Sequence, residues 1–142
     1  MSIAYSDEKK DLPPEQLFRL FEQAGWVRGE TETTTEQLSY FNAPFVNSTL
    51  VISAWEGAKL VGTVRVLSDG VIRSIIYDLV VDPEFQGQGI GKELVKRCIA
   101  VYPNSEWLVQ TTDGLKGYYE RLGFAINNEA FLTIPSIYQQ CD

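Results

Sequence analysis

Apolar positions along the chain change their spacing several times, and each change predicts an element. A short first strand is expected around Ile3 to Tyr5. Leu17, Leu20, Phe21 and Ala24 then recur at helical spacing behind Pro13 and Pro14, which suit a first turn, and Gly25 is a stop. Thr33-Thr-Thr-Glu36 has the spacing of a capping box, so a second helix is expected through Leu38, Ser39, Tyr40 and Phe41, ended by Asn42-Ala43-Pro44. Three β-rich runs follow, Leu50 to Trp55, Leu60 to Leu67 and Ile72 to Val81, separated by the turn-like stretches 56–59 and 68–70. Short turns between strands predict an antiparallel meander. From Ile90 the period returns to that of a helix, with Ile90, Leu94, Val95, Cys98 and Ile99 on one face and Lys92, Glu93, Lys96 and Arg97 on the other. Glu106 to Gln110 reads as a buried strand, and Gly114 to Leu122 as a short helix stopped by Gly123. Phe124 to Ile126 and Ala130 to Ile134 predict a closing hairpin around 127–129. The order β-α-α-β-β-β-α-β-α-β-β, with a helix crossing over between strands near 72 and 110, makes one parallel pairing in an otherwise antiparallel sheet. The fold class is α/β with a mixed sheet.

Composition narrows what such a fold can do. The 142 residues suit one domain over residues 1–142. A net charge of −7 lacks the positive surface that nucleic acid requires and favours a cationic partner. The first ten residues lack an apolar run behind a basic stretch, and the longest apolar runs, such as Leu79-Val80-Val81, are far too short to cross a membrane. A cytoplasmic protein with reduced Cys98 and Cys141 is expected, Cys98 as a core residue. The chain has no histidine, which removes Ser-His-Asp and Cys-His nucleophile pairs and histidine-based zinc sites; no metal is expected.

Chemistry concentrates between residues 80 and 92. A strand ends at Val80-Val81-Asp82-Pro83, Gly87, Gly89 and Gly91 alternate with Gln88 and Ile90, and a helix begins. Glycines permit positive φ and leave room for a ligand against the backbone, while a helix start offers unpaired N–H groups. Together these suit a phosphate or pyrophosphate. The spacing G-x-G-x-G is not the Rossmann G-x-G-x-x-G, and Gly91-Lys92 is followed by Glu93 where a Walker loop needs Ser or Thr. A glycine-rich turn that binds nothing is the plainer alternative.

Gln86-Gly-Gln-Gly89-Ile-Gly91 resembles the Q/R-x-x-G-x-G/A motif of the GNAT superfamily of acyl-CoA-dependent N-acyltransferases. Asp78 to Pro83 before it and Tyr118-Tyr-Glu-Arg-Leu-Gly-Phe124 after it match at the family's separation. The stretch Ile75 to Pro83 looks most like the arylalkylamine N-acetyltransferase-like branch. The resemblance implies a GNAT fold whose parallel strands splay at the cofactor site, acetyl-CoA as co-substrate, a small-molecule amine acceptor, and a homodimer as a common assembly. It implies that backbone N–H groups of Gln86, Gly87, Gln88, Gly89, Ile90 and Gly91 hold the coenzyme A pyrophosphate. Leu79, Val80 and Val81 would flank the pantetheine arm, the thioester lying between that strand and Leu108 to Gln110. Lys92 reaches a phosphate or is a solvated helix residue.

By the same resemblance Tyr119 protonates the leaving thiolate, since an amine attacking a thioester expels a sulfur anion that a positioned phenol can neutralise. Tyr118 is about 100° away on the helix, so one of the two faces the gap; both as core aromatics is the alternative. Relatives commonly carry Glu or His where this chain has Ile75 and Tyr77. Asp78 is the nearest carboxylate, as base, ammonium anchor or structural hydrogen-bonding residue. Alternation points Tyr77 and Asp78 to opposite faces unless a bulge intervenes, and ordered water could take the proton instead. Trp26, Tyr40, Phe41, Phe45 and Trp55 lie where the family builds its acceptor wall, or simply pack in the core. A non-catalytic acetyl-CoA sensor and a purely structural or nucleotide-binding domain are the competing readings.

Overall fold

A computed structural model describes residues 2–26 and 35–137. Contacts divide the chain into one unit through Gln110 and a second from Thr111 onward.

The first unit is built on a mixed sheet whose described strands run β1 (Ala4–Ser6), β2 (Leu50–Glu56), β3 (Lys59–Ser68), β4 (Arg73–Val81) and β5 (Glu106–Val109), in that spatial order. The first four pair antiparallel and β5 pairs parallel to β4, as the crossover through α4 (Ile90–Val101) requires. No helix among the described residues is long and apolar enough to cross a membrane.

Helix α1 (Pro14–Gln23) starts with Pro14 in its first turn and buries Leu17, Leu20 and Phe21. Gly25, at φ 82°, donates its N–H to Glu22 O, and Trp26 N–H reaches Phe21 O at 2.9 Å. This pair of bonds is the left-handed C-terminal cap that a glycine at this position makes available. Leu12, Leu17, Leu20, Phe21 and Phe45 pack with Val51, Leu60 and Val80 of the sheet, and Phe41 and Trp55 border this cluster. Of the aromatics expected near an acceptor wall, Phe41, Phe45 and Trp55 therefore have core roles, whereas Tyr40 and Trp26 are exposed.

Helix α4 lays Ile90 and Leu94 over β3 at Gly62, where any Cβ would lie 3.2 Å from Ile90. Of its predicted apolar face, Ile90, Leu94, Val95 and Cys98 are buried and Ile99 is half-buried. Cys98 is a core residue, and burial pushes its thiol pKa up to about 12.

Three expectations change. Asn42-Ala43-Pro44 does not merely end α2 (Thr35–Ser39): Asn42 O accepts the N–H groups of Phe45 and Val46, and Pro44 sits in the first turn of a short α3 (Ala43–Val46). A proline that stops one helix is equally suited to opening the next. The Thr33–Thr34 part of the capping box lies outside the described residues, as does Cys141. β5 is half-buried, because it is the last strand of the described sheet and pairs only with β4. The closing hairpin does not form in the described residues 124–137. Asn127 Oδ1 accepts the Glu129 N–H at 2.9 Å in a local turn, but Ile126, Phe131, Leu132 and Ile134 stay exposed, without the buried face that makes strand pairing favourable.

Candidate active site

Strand β4 is regular as far as Tyr77. Arg65 of β3 stands opposite Tyr77 and Thr63 stands opposite Val80, so Asp78 and Leu79 share the place opposite Val64. This is a β-bulge, and Asp78 carries it with φ 50°, a left-handed conformation for a non-glycine residue. Such a residue costs about 1–2 kcal/mol relative to an extended one. The bulge undoes the strict alternation: Arg65 Nε donates to the Asp78 carboxylate, and its guanidinium lies 5.0 Å from the Tyr77 ring. Both residues thus meet the same side chain.

Pairing between β4 and β5 runs from Arg73 opposite Glu106 to Ile76 opposite Val109 and stops there. From Tyr77 to Val81, β4 has β3 on one side and no strand on the other among the described residues. Val80 is buried in the core opposite Thr63 of β3, while Leu79 and Val81 are half-buried.

After β4 the chain is anchored before it becomes exposed. Asp82 is 2% exposed; its N–H reaches Val61 O at 2.8 Å, and Oδ1 accepts the Glu84 N–H at 2.9 Å. Its other oxygen lies 3.6 Å from Lys59 Nζ, an ion pair beyond hydrogen-bond reach. Lys59 also covers the ring of Phe85, itself buried. On this footing Gln86, Gly87, Gln88 and Gly89 are exposed.

Gly87 and Gly89 both take φ 83°, and neither has a heavy atom within 4 Å of where a Cβ would be. Their absence of a side chain answers to backbone conformation and leaves open space beside the loop. Gly89 caps α4, and the first intrahelical bond is Glu93 N–H to Gly89 O at 3.0 Å. The N–H groups of Ile90, Gly91 and Lys92 precede that bond and are the orphan donors of a 12-residue helix, carrying its positive dipole end. The Lys92 side chain is exposed. Gln86 departs from the expectation in part. Its backbone N–H turns back to Pro83 O at 3.4 Å, and its side-chain amide donates to Val81 O at 3.2 Å, so it braces the loop to β4. An anion held by backbone donors fits the rest of this cradle.

In the second unit, a single 3-10 turn at Asp113–Leu115 leads into α5 (Lys116–Arg121). Gly123, at φ 105°, donates to Glu120 O, and Phe124 N–H reaches Tyr119 O at 3.1 Å, the same cap that ends α1. Tyr119 is 8% exposed, with the Tyr118 and Phe124 rings edge-on at 5.2 and 5.7 Å. Burial, and secondarily Tyr118, push the Tyr119 phenol up to about 12, so it holds its proton at neutral pH. Burial also raises Tyr118, which is less enclosed.

Sequence reasoning missed Arg65, Ser48 and Lys59, since each acts on a residue at least 13 positions away and no local spacing marks it. No cluster of three or more metal-ligating side chains occurs among the described residues.

The family model described as an acetyltransferase (GNAT) domain matches residues 29–132. This chain belongs to the GNAT family. Among similar sequences, the ycf52 N-acetyltransferase of Pyropia yezoensis is 28% identical over 84% of this chain and 69% of its own length. Serotonin N-acetyltransferase 2, chloroplastic, of Oryza sativa subsp. japonica is 26% identical over 80% of this chain, which spans 57% of that protein. A GNAT-family acetyltransferase from Streptococcus pneumoniae superposes with a TM-score of 0.74 at 25% identity, covering 94% of this chain and 98% of that one. An aminoglycoside acetyltransferase from a soil metagenome, solved with sisomicin, has the same fold, with a TM-score of 0.69 at 23% identity over 95% and 96% of the two chains. The chain is a GNAT-type acetyltransferase with the mixed sheet of that family.

Proposed function

We propose that residues 1–142 form one catalytic domain that moves an acetyl group from acetyl-CoA to a primary amine by direct attack. The observation that carries this reading is the parting of β4 from β5 after Ile76 and Val109, beside a loop whose left-handed glycines open α4. Backbone N–H groups from Gly87 to Lys92 would bind the pyrophosphate, with the Lys92 ammonium close to a phosphate. The side of Leu79 to Val81 that lacks a neighbouring strand would hydrogen-bond the pantetheine arm as a strand does, beside the Gln86 amide that donates to Val81 O.

The amine nitrogen bonds to the thioester carbonyl carbon as the carbon–sulfur bond breaks. Tyr119 would give its proton to the departing sulfur, a role suited to a phenol kept protonated by burial. Asp78 is engaged by Arg65, which favours its structural hydrogen-bonding role over that of a base, so ordered water would take the amine proton. The acceptor we favour is a small cationic amine. The relatives' names refer to serotonin and to aminoglycosides, both amines, and the net charge of −7 attracts cations. The reducing cytoplasm remains the compartment we propose, and a homodimer the assembly.

Calorimetry with acetyl-CoA, followed by thiol release on addition of serotonin, sisomicin and spermidine to the same sample, tests this. Binding with release on an amine is expected. Binding without release favours a sensor of acetyl-CoA and overturns catalysis on these amines, and no binding overturns the reading.

A further inference from the structure

We propose that Arg65 is a positioning residue for this reaction, the clamp that holds the β4 bulge in the shape the coenzyme meets. The inference rests on the reading that the pantetheine arm runs along residues 79–81.

A non-glycine residue at φ 50° in the middle of a strand persists only where its surroundings over-determine it. Here the surroundings converge on one guanidinium. Arg65 Nε donates to the Asp78 carboxylate. A second guanidinium nitrogen donates to Ser48 Oγ at 3.3 Å, and that hydroxyl is fixed by its own bond to Pro44 O at 2.6 Å. The plane also lies 5.0 Å from the Tyr77 ring and 5.9 Å from the Phe45 ring. Phe45 is core, so the clamp is mounted on the packed interior and reaches outward to Asp78.

Arg65 stands opposite Tyr77, the last regular residue before the bulge, and β5 leaves β4 one residue earlier, at Ile76. The kink therefore turns the backbone of Asp78 and Leu79 where the strand first lacks a neighbour. A planar, always-charged fork with stacking faces is suited to this task, and lysine offers neither the fork nor the faces.

Glycine provides the test, because it takes positive φ without a clamp. Acetyl-CoA affinity by calorimetry is expected to fall about tenfold in Arg65→Met and in Asp78→Ala, as unfixed backbone of this kind implies. Asp78→Gly should stay within about threefold of the parent, and Arg65→Met/Asp78→Gly should recover most of the loss, a coupling that a double-mutant cycle isolates. Amide hydrogen exchange over residues 77–81, read without ligand, should follow the same order. A merely packing role for Arg65 would not be rescued by a glycine at position 78. Unchanged affinity and exchange in Arg65→Met overturn the clamp. Loss in Asp78→Gly equal to that in Asp78→Ala overturns it too, since the carboxylate rather than the backbone shape would then matter. If the parent binds no acetyl-CoA, the proposed function fails while exchange alone decides the clamp. Should Arg65→Met not fold, Arg65→Lys takes its place with the same expected order.

Discussion

Phe124 closes on Tyr119 twice, through its N–H to the Tyr119 carbonyl at 3.1 Å and through an edge-on ring contact at 5.7 Å. The tyrosine is thereby fixed from the glycine cap that ends its own helix. Tyr119→Phe keeps the ring and removes the hydroxyl. Turnover is expected to fall about 10²-fold, the lower range for a positioned proton donor, while acetyl-CoA affinity holds. Steady-state thiol release beside calorimetry reads both, and an unchanged rate removes Tyr119 from the chemistry.

The raised phenol also sets a pH dependence of stability. Below pH 10 both folded and unfolded chains keep the Tyr119 proton; between 10 and about 12 the folded chain keeps it while the unfolded chain gives it up. The folded state then binds more protons, so stability falls as pH rises through that window. The Cys98 thiol, pushed from 9.0 to about 12, adds in the same direction. Melting temperatures of Tyr119→Phe should decline less steeply than the parent's over this range. Equal slopes would mean that the phenol is solvated.

Gly89 is a case of strain without crowding. Nothing lies within 4 Å of a Cβ there, yet φ is 83°. Gly89→Val should therefore lose about 1–2 kcal/mol of folding stability through backbone conformation. It should also lose acetyl-CoA affinity, because the donors of Ile90 to Lys92 turn away with the cap. Thermal melts and calorimetry on the variant check both, and normal binding would move the pyrophosphate elsewhere.

Leu94 is fully buried over Gly62. Leu94→Ala should cost about 2–5 kcal/mol, the range for a core leucine whose cavity collapses only in part. Denaturant unfolding measures it. A loss under 1 kcal/mol would show that α4 settles onto the sheet.

Much of this was legible in the chain because the signals were local. Gly25 and Gly123 announce their caps by following helical runs, and Ile90 to Cys98 announces a helix by its period. The glycine loop was readable because positive φ and a helix start are short-range demands. What escaped, or stayed open as with the bulge near Asp78, were relations across the sheet. The bulge at Asp78 depends on which residue of β3 stands opposite, and the partner that holds it is 13 positions earlier. The predicted hairpin failed for the converse reason. Phe124 to Ile126 and Ala130 to Ile134 are short apolar runs around a turn, but such runs need a surface to cover them and do not supply it.

The cradle at the start of α4 draws on main-chain dipoles, whose reach ends within about a turn of the helix. The molecule around them carries a net charge of −7. A polyanionic coenzyme approaching from a distance would thus meet repulsion first and attraction only on arrival. Added salt shortens the range of the repulsion and hardly touches the contact. With Lys92 the one ammonium placed near a phosphate against a net charge of −7, acetyl-CoA association should consequently quicken with ionic strength, the reverse of what a phosphate site on a strongly basic surface would show, and stopped-flow rates across a salt series would display the slope.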